Sequence, residues 1–286
     1  MKKLFALVTA FILALSMVAC AGNPSAPAQT QPPAQTQPPA QSTPQPAAPD
    51  DLVLGTSADY APFEFHMLEN GVDKIVGLDV ALAHQIAADK GVGLRIVDMS
   101  FDNLLTLMAK GDCDFVIAAM ETTEERLQAA SCSDPYYTDL PAMILVRKDN
   151  LDNFTTFSDF DGLSVGAQSG TTKADIITDE MPGATPLLMS SVVDLVNNLV
   201  YEKCAALVLD GAVALQYAAA NAELAIIEAE GLLLGEALPY CVWVAKDDPK
   251  GLLPSINATI AKVLGDGSMD AFIAEADELS SQALEG

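Results

Sequence analysis

The chain has 286 residues, and its 14 Lys and Arg residues against 39 Asp and Glu residues give a formal net charge of −25 at pH 7. Hydrophobic residues make up 50% of the chain, and the length of the globular part, which begins at Asp50, suits one large domain or two ordinary ones. Nucleic acid is a poor partner, because a chain this acidic has no basic surface with which to neutralise phosphates.

Residues 1–20 have the pattern of a lipoprotein signal peptide. Two lysines precede an apolar run over residues 4–18, and Ala19 precedes Cys20, the cysteine expected to carry the lipid. The run is shorter than the roughly 20 residues of a membrane span, although an uncleaved membrane helix is the alternative. We therefore predict an exported protein anchored through Cys20 to the outer face of the cell membrane, facing the periplasm if the cell has an outer membrane.

Residues 21–50 form a Pro- and Gln-rich segment with no charged side chain before Asp50. This composition predicts a disordered linker with partial polyproline II character. At roughly 3.1 Å per residue, the linker would let the globular part reach at most about 90 Å from its anchor.

From residue 51 onwards, short apolar runs alternate with segments of helical periodicity. In the first half, strands are predicted over 52–56, 63–65, 94–97 and 115–118, and helices over 78–90 and 104–110. In the second half, strands are predicted over 163–166 and 205–209, and helices over 172–181 and 193–199. The alternation predicts mostly parallel sheets, and the similarity of residues 104–118 to residues 193–209 predicts two similar α/β lobes.

The most informative motif follows the buried strand that ends at Ala118. Residues 118–126 read AAMETTEER, and residues 133–137 read SDPYY. These segments resemble the motif of extracellular solute-binding proteins of the polar amino-acid uptake systems, in which T-x-x-R precedes F-S-D-P-Y-Y. Cys132 stands where that family usually has Phe, and the resemblance covers most of the chain after its leader.

The resemblance implies a fold of the type 2 periplasmic-binding-protein class, in which the chain crosses twice between two lobes. Lobe one then comprises residues 51–135 plus 241–286, lobe two comprises residues 141–236, and the hinge segments are residues 136–140 and 237–240. Ligands of open α/β sheets bind beyond the carboxyl ends of the strands, so the ligand cleft is expected between the lobes.

Arg126 is the candidate for binding a ligand carboxylate from lobe one. Capping-box spacing from Thr122 to Glu125 predicts that Arg126 lies in the first turn of a helix, directly after a buried strand. A guanidinium held there suits bidentate capture of a small carboxylate. The alternative is a surface arginine that pairs with Glu124 or Glu125.

Lobe two is expected to supply the other half of this clamp. The turn that contains Gln168, Thr171 and Thr172 leads into a helix N-terminus, whose free N–H groups suit an anion, although a plain tight turn is the alternative. Asp210 follows the apolar strand 205–209 and matches the acid that holds the ligand's α-ammonium in the family. It would also serve as the N-cap of the next helix, and the two roles are compatible.

The resemblance also implies an aromatic wall for the ligand side chain. Positions that match Tyr60 and Phe101 sandwich that side chain in the family, whereas Phe63 is expected to pack beneath the loop. Ser57 matches a polar position that contacts the ligand. The predicted ligand-binding set is completed by two residues at the end of the strand before the motif, Ala118 and Ala119.

Glu121 departs from the family's pattern. It lies five residues before Arg126, where the family usually has a Thr or Ser whose hydroxyl binds the ligand carboxylate. A carboxylate there should repel a ligand carboxylate or pair with Arg126. Three alternatives remain open: Glu121 turns outward, it adds a second acid beside Asp210 and favours a cationic ligand, or the ligand lacks an α-carboxylate.

The four cysteines after the leader are widely spaced: Cys113, Cys132, Cys204 and Cys241. Their spacing contains no C-x-x-C pair, so we predict no metal site, and no cofactor is expected. Export would permit disulfides, but buried free thiols that pack as small hydrophobic groups are the alternative.

Taken together, these patterns predict a monomeric, lipid-anchored solute-binding protein. It would capture a small polar amino acid or close analogue by lobe closure and deliver it to the permease of an ABC transporter, without making or breaking a bond. One alternative is a ligand-sensing receptor for a signalling partner. The other is a cyclic-acid dehydratase on the same fold, in which Glu121 would be the general acid or base.

Overall fold

The computed structural model describes residues 51–284 of the chain. The predicted signal peptide (residues 1–20), the predicted lipidation site Cys20 and the predicted linker (residues 21–50) therefore lie outside the described residues. No helix between residues 51 and 284 is both long enough and apolar enough to cross a membrane.

Lobe one is built on a five-stranded sheet. In spatial order its strands are β5 (Leu94–Asp98), β1 (Leu52–Thr56), β6 (Phe115–Val116), β13 (Pro239–Ala245) and β7 (Ala130–Thr138). β1 runs parallel to β5 and β6, whereas β13 runs antiparallel to β6 and β7. The helices of this lobe are α1 (Leu78–Lys90), α2 (Leu104–Lys110), α3 (Glu124–Ala129), α7 (Leu253–Asp266) and α8 (Ser268–Leu284).

A small antiparallel sheet lies beside this lobe, between β1 and α1 in the chain. Its three strands are β2 (Asp59–Tyr60), β3 (Glu64–Glu69) and β4 (Val72–Val76). α1 then follows, with Leu78, Leu82 and Ile86 buried on one face, and it ends at Gly91, whose φ of 75° is the left-handed conformation that suits a helix C-terminus. The strand predicted over 63–65 therefore exists, but it begins at Glu64 and continues to Glu69.

Lobe two repeats the same design. In spatial order its strands are β10 (Thr185–Met189), β9 (Ser164–Gln168), β11 (Ala206–Leu209), β8 (Met143–Arg147) and β12 (Leu224–Ile226). β9 is parallel to β10 and β11, whereas β8 is antiparallel to β11 and β12. The helices of this lobe are α4 (Thr172–Glu180), α5 (Val192–Val200) and α6 (Gly211–Ala220).

The two sheets confirm the predicted fold class of two similar α/β lobes with two crossovers. In each sheet three mutually parallel strands are followed by an antiparallel strand and then by an edge strand. The chain leaves lobe one after β7 and returns to it at β13, and these strands are paired up to Thr138 and Pro239. The limits of the hinge segments, 136–140 and 237–240, stay a prediction.

Two elements of lobe one differ from what the sequence indicates. The strand predicted over 115–118 is regular only over Phe115–Val116, although Ile117 still donates its N–H to the carbonyl of Gly55 at 3.3 Å. The chain then turns at Ala119, which has a φ of 44° and donates its N–H to Asp79 at 2.7 Å. The sequence does not predict β7, since it contains Pro135 between polar residues. β7 lies at the edge of the sheet, where a proline is tolerated because one side of the strand needs no ladder hydrogen bonds.

Candidate functional site

Arg126 lies in the third position of α3, close to the carboxyl end of β6. The helix begins after Thr123, whose side chain accepts a hydrogen bond from the backbone N–H of Arg126 at 3.2 Å. The predicted capping box from Thr122 is therefore wrong by one residue, because Thr123 and not Thr122 is the N-cap. The prediction that Arg126 lies in the first turn is confirmed, and the cap fixes the start of that turn.

The guanidinium of Arg126 reaches from lobe one to lobe two. Nη1 donates to the carbonyl oxygen of Glu121 at 2.8 Å, and Nη2 donates to the carbonyl oxygen of Gly170 at 2.9 Å. The guanidinium also lies over the ring of Phe101, 5.3 Å from its centroid, which is a cation–π distance. Arg126 thus faces the cleft, and no ion pair joins it to the neighbouring Glu124 or Glu125 among the contacts of the described residues.

The turn between β9 and α4 brings lobe two to the same place. Gly170 has a φ of 79°, and Thr171 is the N-cap of α4, with its hydroxyl donating to the carbonyl of Gln168 at 2.7 Å. The amide of Gln168 reaches lobe one and donates to Asp59 at 3.3 Å. The turn therefore combines a helix N-terminus with a direct contact to the opposite lobe.

Glu121 does not turn outward. It is buried, and its carboxylate accepts a hydrogen bond from the hydroxyl of Thr172 and pairs with the ammonium of Lys173 at 2.9 Å. Burial by itself would raise the pKa of Glu121, but the charge of Lys173 and the two hydrogen bonds bring that pKa below its usual value. The outward alternative is wrong because this acid has a cation from the other lobe as its partner.

Lys173 lines the candidate site, and sequence reasoning missed it. It occupies the second position of α4, is 4% exposed, and its ammonium also contacts the hydroxyl of Thr172 at 3.2 Å and the carboxylate of Asp210. Burial lowers the pKa of Lys173, and the charges of Asp210 and Glu121 outweigh this effect and raise it. The sequence signal for it was weak: Lys173 directly follows the candidate residues Thr171 and Thr172 in a chain with few cations.

Asp210 caps α6 by position only, since its side chain makes no hydrogen bond to the helix backbone. One carboxylate oxygen accepts a hydrogen bond from the hydroxyl of Tyr60 at 2.5 Å, and the other pairs with the ammonium of Lys173. Burial and the charge of Asp210 hold the pKa of Tyr60 well above its usual range, so Tyr60 stays a donor. The acid is therefore buried among donors from both lobes.

These groups enclose a small cavity between the lobes, with a volume of about 10 Å³, the size that holds one water molecule. Lys173 and eight of the predicted site residues line it: Tyr60, Phe101, Ala119, Glu121, Arg126, Gln168, Thr171 and Asp210. Outside it, a groove of about 390 Å³ is shared by Phe101, Arg126 and Thr172. Ser57 and Ala118 are buried but line neither space, and Phe63 packs beneath the loop against Tyr240, as predicted.

Several contacts hold the lobes together around this cavity. Those of Arg126, Tyr60, Glu121 and Gln168 are described above. In addition, Asp59 of lobe one accepts a hydrogen bond from the backbone N–H of Val192 in lobe two at 2.6 Å. Val192 is the first residue of α5, so Asp59 lies at a helix N-terminus where a negative charge is favourable. The lobes are therefore closed, and the cationic Arg126 and the acidic Asp210 of the predicted clamp line the same cavity.

The four cysteines are free thiols in the structure: Cys113, Cys132, Cys204 and Cys241. Burial raises the pKa of Cys113 and of Cys204 to about 11, and that of Cys241 to about 12. A thiol with such a pKa is almost entirely protonated at neutral pH. The structure supports the alternative of free thiols, with Cys113, Cys204 and Cys241 buried and Cys132 half-buried.

Comparison with known proteins gives one consistent result. The family of bacterial extracellular solute-binding proteins, family 3, matches residues 52–275. The arginine-binding extracellular protein ArtP of Bacillus subtilis is 29% identical over 226 residues, which is 78% of this chain and 79% of ArtP.

Solved structures extend this result to the fold. The amino acid ABC transporter substrate-binding protein AbpA of Streptococcus pneumoniae, bound to L-arginine, superposes with a TM-score of 0.76 and 30% identity, covering 80% of this chain and 95% of AbpA. The ancestral amino acid-binding protein AncCDT-1, described as a precursor of cyclohexadienyl dehydratase, superposes with a TM-score of 0.71 and 29% identity. The latter match covers 79% of this chain and 94% of AncCDT-1.

Proposed function

The chain belongs to family 3 of the bacterial extracellular solute-binding proteins, and on that premise we propose how this amino-acid-binding component of ABC transport works. It captures one small polar amino acid, or a close analogue, between its lobes and releases it to the transporter permease. The ligand carboxylate binds Arg126 and the N-terminus of α4, and the ligand ammonium binds Asp210. The lobes close around the ligand and hold it, and no covalent bond is made or broken.

One observation carries this proposal. The guanidinium of Arg126 spans the cleft, with one nitrogen bonded inside lobe one and the other bonded to Gly170 of lobe two. Both partners are backbone carbonyl oxygens, which carry only partial charge. A ligand carboxylate offers full charge and two acceptors to the same fork, so it favours the closed state over the open one.

The proposal extends to anchoring and partners. Export is supported by the extracellular family, and the pattern of residues 1–20 supports lipidation at Cys20. The anchored protein would be monomeric and would meet the permease through the cleft-facing rims of both lobes. The permease would lie in the same membrane as the anchor when the cell has no outer membrane.

A dehydratase on this fold is the second candidate, because AncCDT-1 is similar in structure. Such an enzyme would need a general acid or base with a pKa close to neutral. The candidate, Glu121, is held as a carboxylate by Lys173 and has a lowered pKa, which suits neither role well. A sensing receptor would use the same site as the transport protein and differ only in its partner.

Calorimetry of the purified protein against the twenty amino acids tests the proposal. We expect one or a few amino acids to bind, Arg126→Ala to abolish binding, and Asp210→Asn to weaken it at least tenfold, because a charge-assisted bond to a buried ion is lost. Glu124→Gln is the control, since Glu124 is exposed on the same helix as Arg126. Unchanged binding in both site variants would refute the proposed site.

A further inference from the structure

We propose that Lys173 selects the charge of the ligand, so that the site accepts amino acids with uncharged side chains and disfavours those with cationic side chains. This inference rests on the proposed function and names the substrate class of the same site. It is opposite to what the names of the arginine-binding relatives would suggest for this chain.

The first step is the position of the Lys173 ammonium. Its three N–H donors match three acceptors, Glu121, Asp210 and the hydroxyl of Thr172. Lys173 stands at the N-terminus of α4, where the helix dipole disfavours a cation. The helix therefore does not explain its inward position, and the two buried acids do.

The second step is the charge balance of the cavity. Arg126 and Lys173 contribute two positive charges, and Glu121 and Asp210 contribute two negative charges, so the lining groups sum to zero. A zwitterionic amino acid with an uncharged side chain keeps that sum at zero. A cationic side chain held in this cavity adds one positive charge that the four lining groups do not neutralise, which is unfavourable in an interior of low dielectric constant.

The third step is the capacity of the acids. Each carboxylate has about four lone-pair sites, so Asp210 accepts from Tyr60 and Lys173 and still has lone pairs for a ligand ammonium. Lys173 and Asp210 both lie in lobe two, so their contact can persist when the lobes open to admit a zwitterion. The charge of Lys173 neutralises the charge of the second acid, Glu121. Without Lys173, the unpaired charge of Glu121 would make the site suitable for a cation.

Two near-isosteric ligand pairs test the inference on the intact protein. L-Arginine and L-citrulline differ in side-chain charge at similar shape, and so do L-glutamate and L-glutamine. We expect the wild type to bind citrulline at least tenfold more tightly than arginine by calorimetry. A wild type that prefers arginine overturns the inference and needs no variant.

A cycle of charge variants then assigns the effect to Lys173. Lys173→Gln makes the lining sum −1 and should shift the arginine-to-citrulline preference toward arginine by at least tenfold. Glu121→Gln makes the sum +1 and should shift the glutamate-to-glutamine preference toward glutamate. The double variant restores zero and should restore the wild-type order, which a loss of packing would not do.

A matched control separates local from overall charge. Lys203→Gln changes the net charge equally at an exposed position of lobe two and should leave both preferences unchanged. A preference that is unmoved by Lys173→Gln, or moved equally by Lys203→Gln, overturns the inference while amino-acid binding itself persists. If no variant and no wild type binds any amino acid, the proposed function fails instead.

Discussion

Replacement of Lys173 by methionine should strongly destabilise the folded protein. Methionine keeps most of the side-chain volume but removes the charge, which leaves Glu121 and Asp210 without their common partner. The side chain of Lys173 is 5% exposed, that of Glu121 is 8% exposed and that of Asp210 is 6% exposed. Water therefore does not screen the two carboxylate charges that remain. Removal of one partner of a buried ion pair costs about 3 to 5 kcal/mol, and we expect a loss in this range at pH 7.

The loss should depend on pH in a defined direction. In the wild type the pKa of Glu121 is below its usual value, so the pair contributes stability above the unfolded pKa and loses it as the pH falls through the folded pKa. Without Lys173, burial dominates and raises that pKa. Glu121 of the variant then takes up a proton as the pH falls from 7 to 5, so the difference in unfolding free energy between the variant and the wild type should become smaller.

Urea unfolding of both proteins at pH 7 and pH 5 measures these free energies. Lys203→Met is the matched control, and a substitution at such an exposed position should change the free energy of unfolding by no more than about 0.5 kcal/mol. A loss below about 1 kcal/mol for Lys173→Met at pH 7, or an equal loss at both pH values, would refute the claim that this lysine compensates buried acids.

Two further predictions concern the cleft and its supports. Burial raises the pKa of Asp59, Asp79 and Asp139 to about 6, above that of an unfolded aspartate, so each takes up a proton on folding at a pH between its unfolded and folded pKa. The free energy of unfolding, measured by denaturant titration, should therefore rise as the pH falls from 7 to about 5. A fall in this free energy over the same range would contradict the burial argument. Gly170→Ala should destabilise the closed arrangement of the lobes, because a φ of 79° is strained for an L-residue and the new methyl carbon would lie 3.0 Å from the backbone of Asp102 in lobe one. Small-angle scattering should then show a larger radius of gyration for the variant than for the wild type. An unchanged radius of gyration would contradict this expectation.

Most of the fold could be predicted from the sequence because its elements have strong local signals. The helix over 78–90 has buried residues at helical spacing and a terminal glycine, and both ends agree with the structure. β7 has no such signal, because serines, an aspartate and a proline interrupt its apolar residues. Its pairing with β13 makes it a strand, although the paired residues are far apart in the chain, with Thr138 opposite Pro239 and Ala130 opposite Ala245. Long-range pairing of this kind leaves no local periodicity in the sequence.

The site could be predicted in part, and the reason differs from residue to residue. Arg126, Gln168 and Asp210 follow strand ends, so topology alone predicts that they converge, and the structure brings them to one cavity. Their roles toward a ligand stay a prediction. Ser57 also follows a strand end, yet it is buried outside the cavity wall, because the direction of a side chain depends on the turn that carries it.

The sequence by itself determined the two-lobed α/β design, the family and the strand ends that meet at the cleft, since these follow from periodicity and a continuous motif. Only the tertiary structure decided the state of Glu121, because its partner Lys173 lies 52 positions away on the opposite lobe. The charge of a buried site is a sum over groups that only folding brings together. For that reason the local sequence around Glu121 leaves three alternatives open, and the contact with Lys173 removes the outward one.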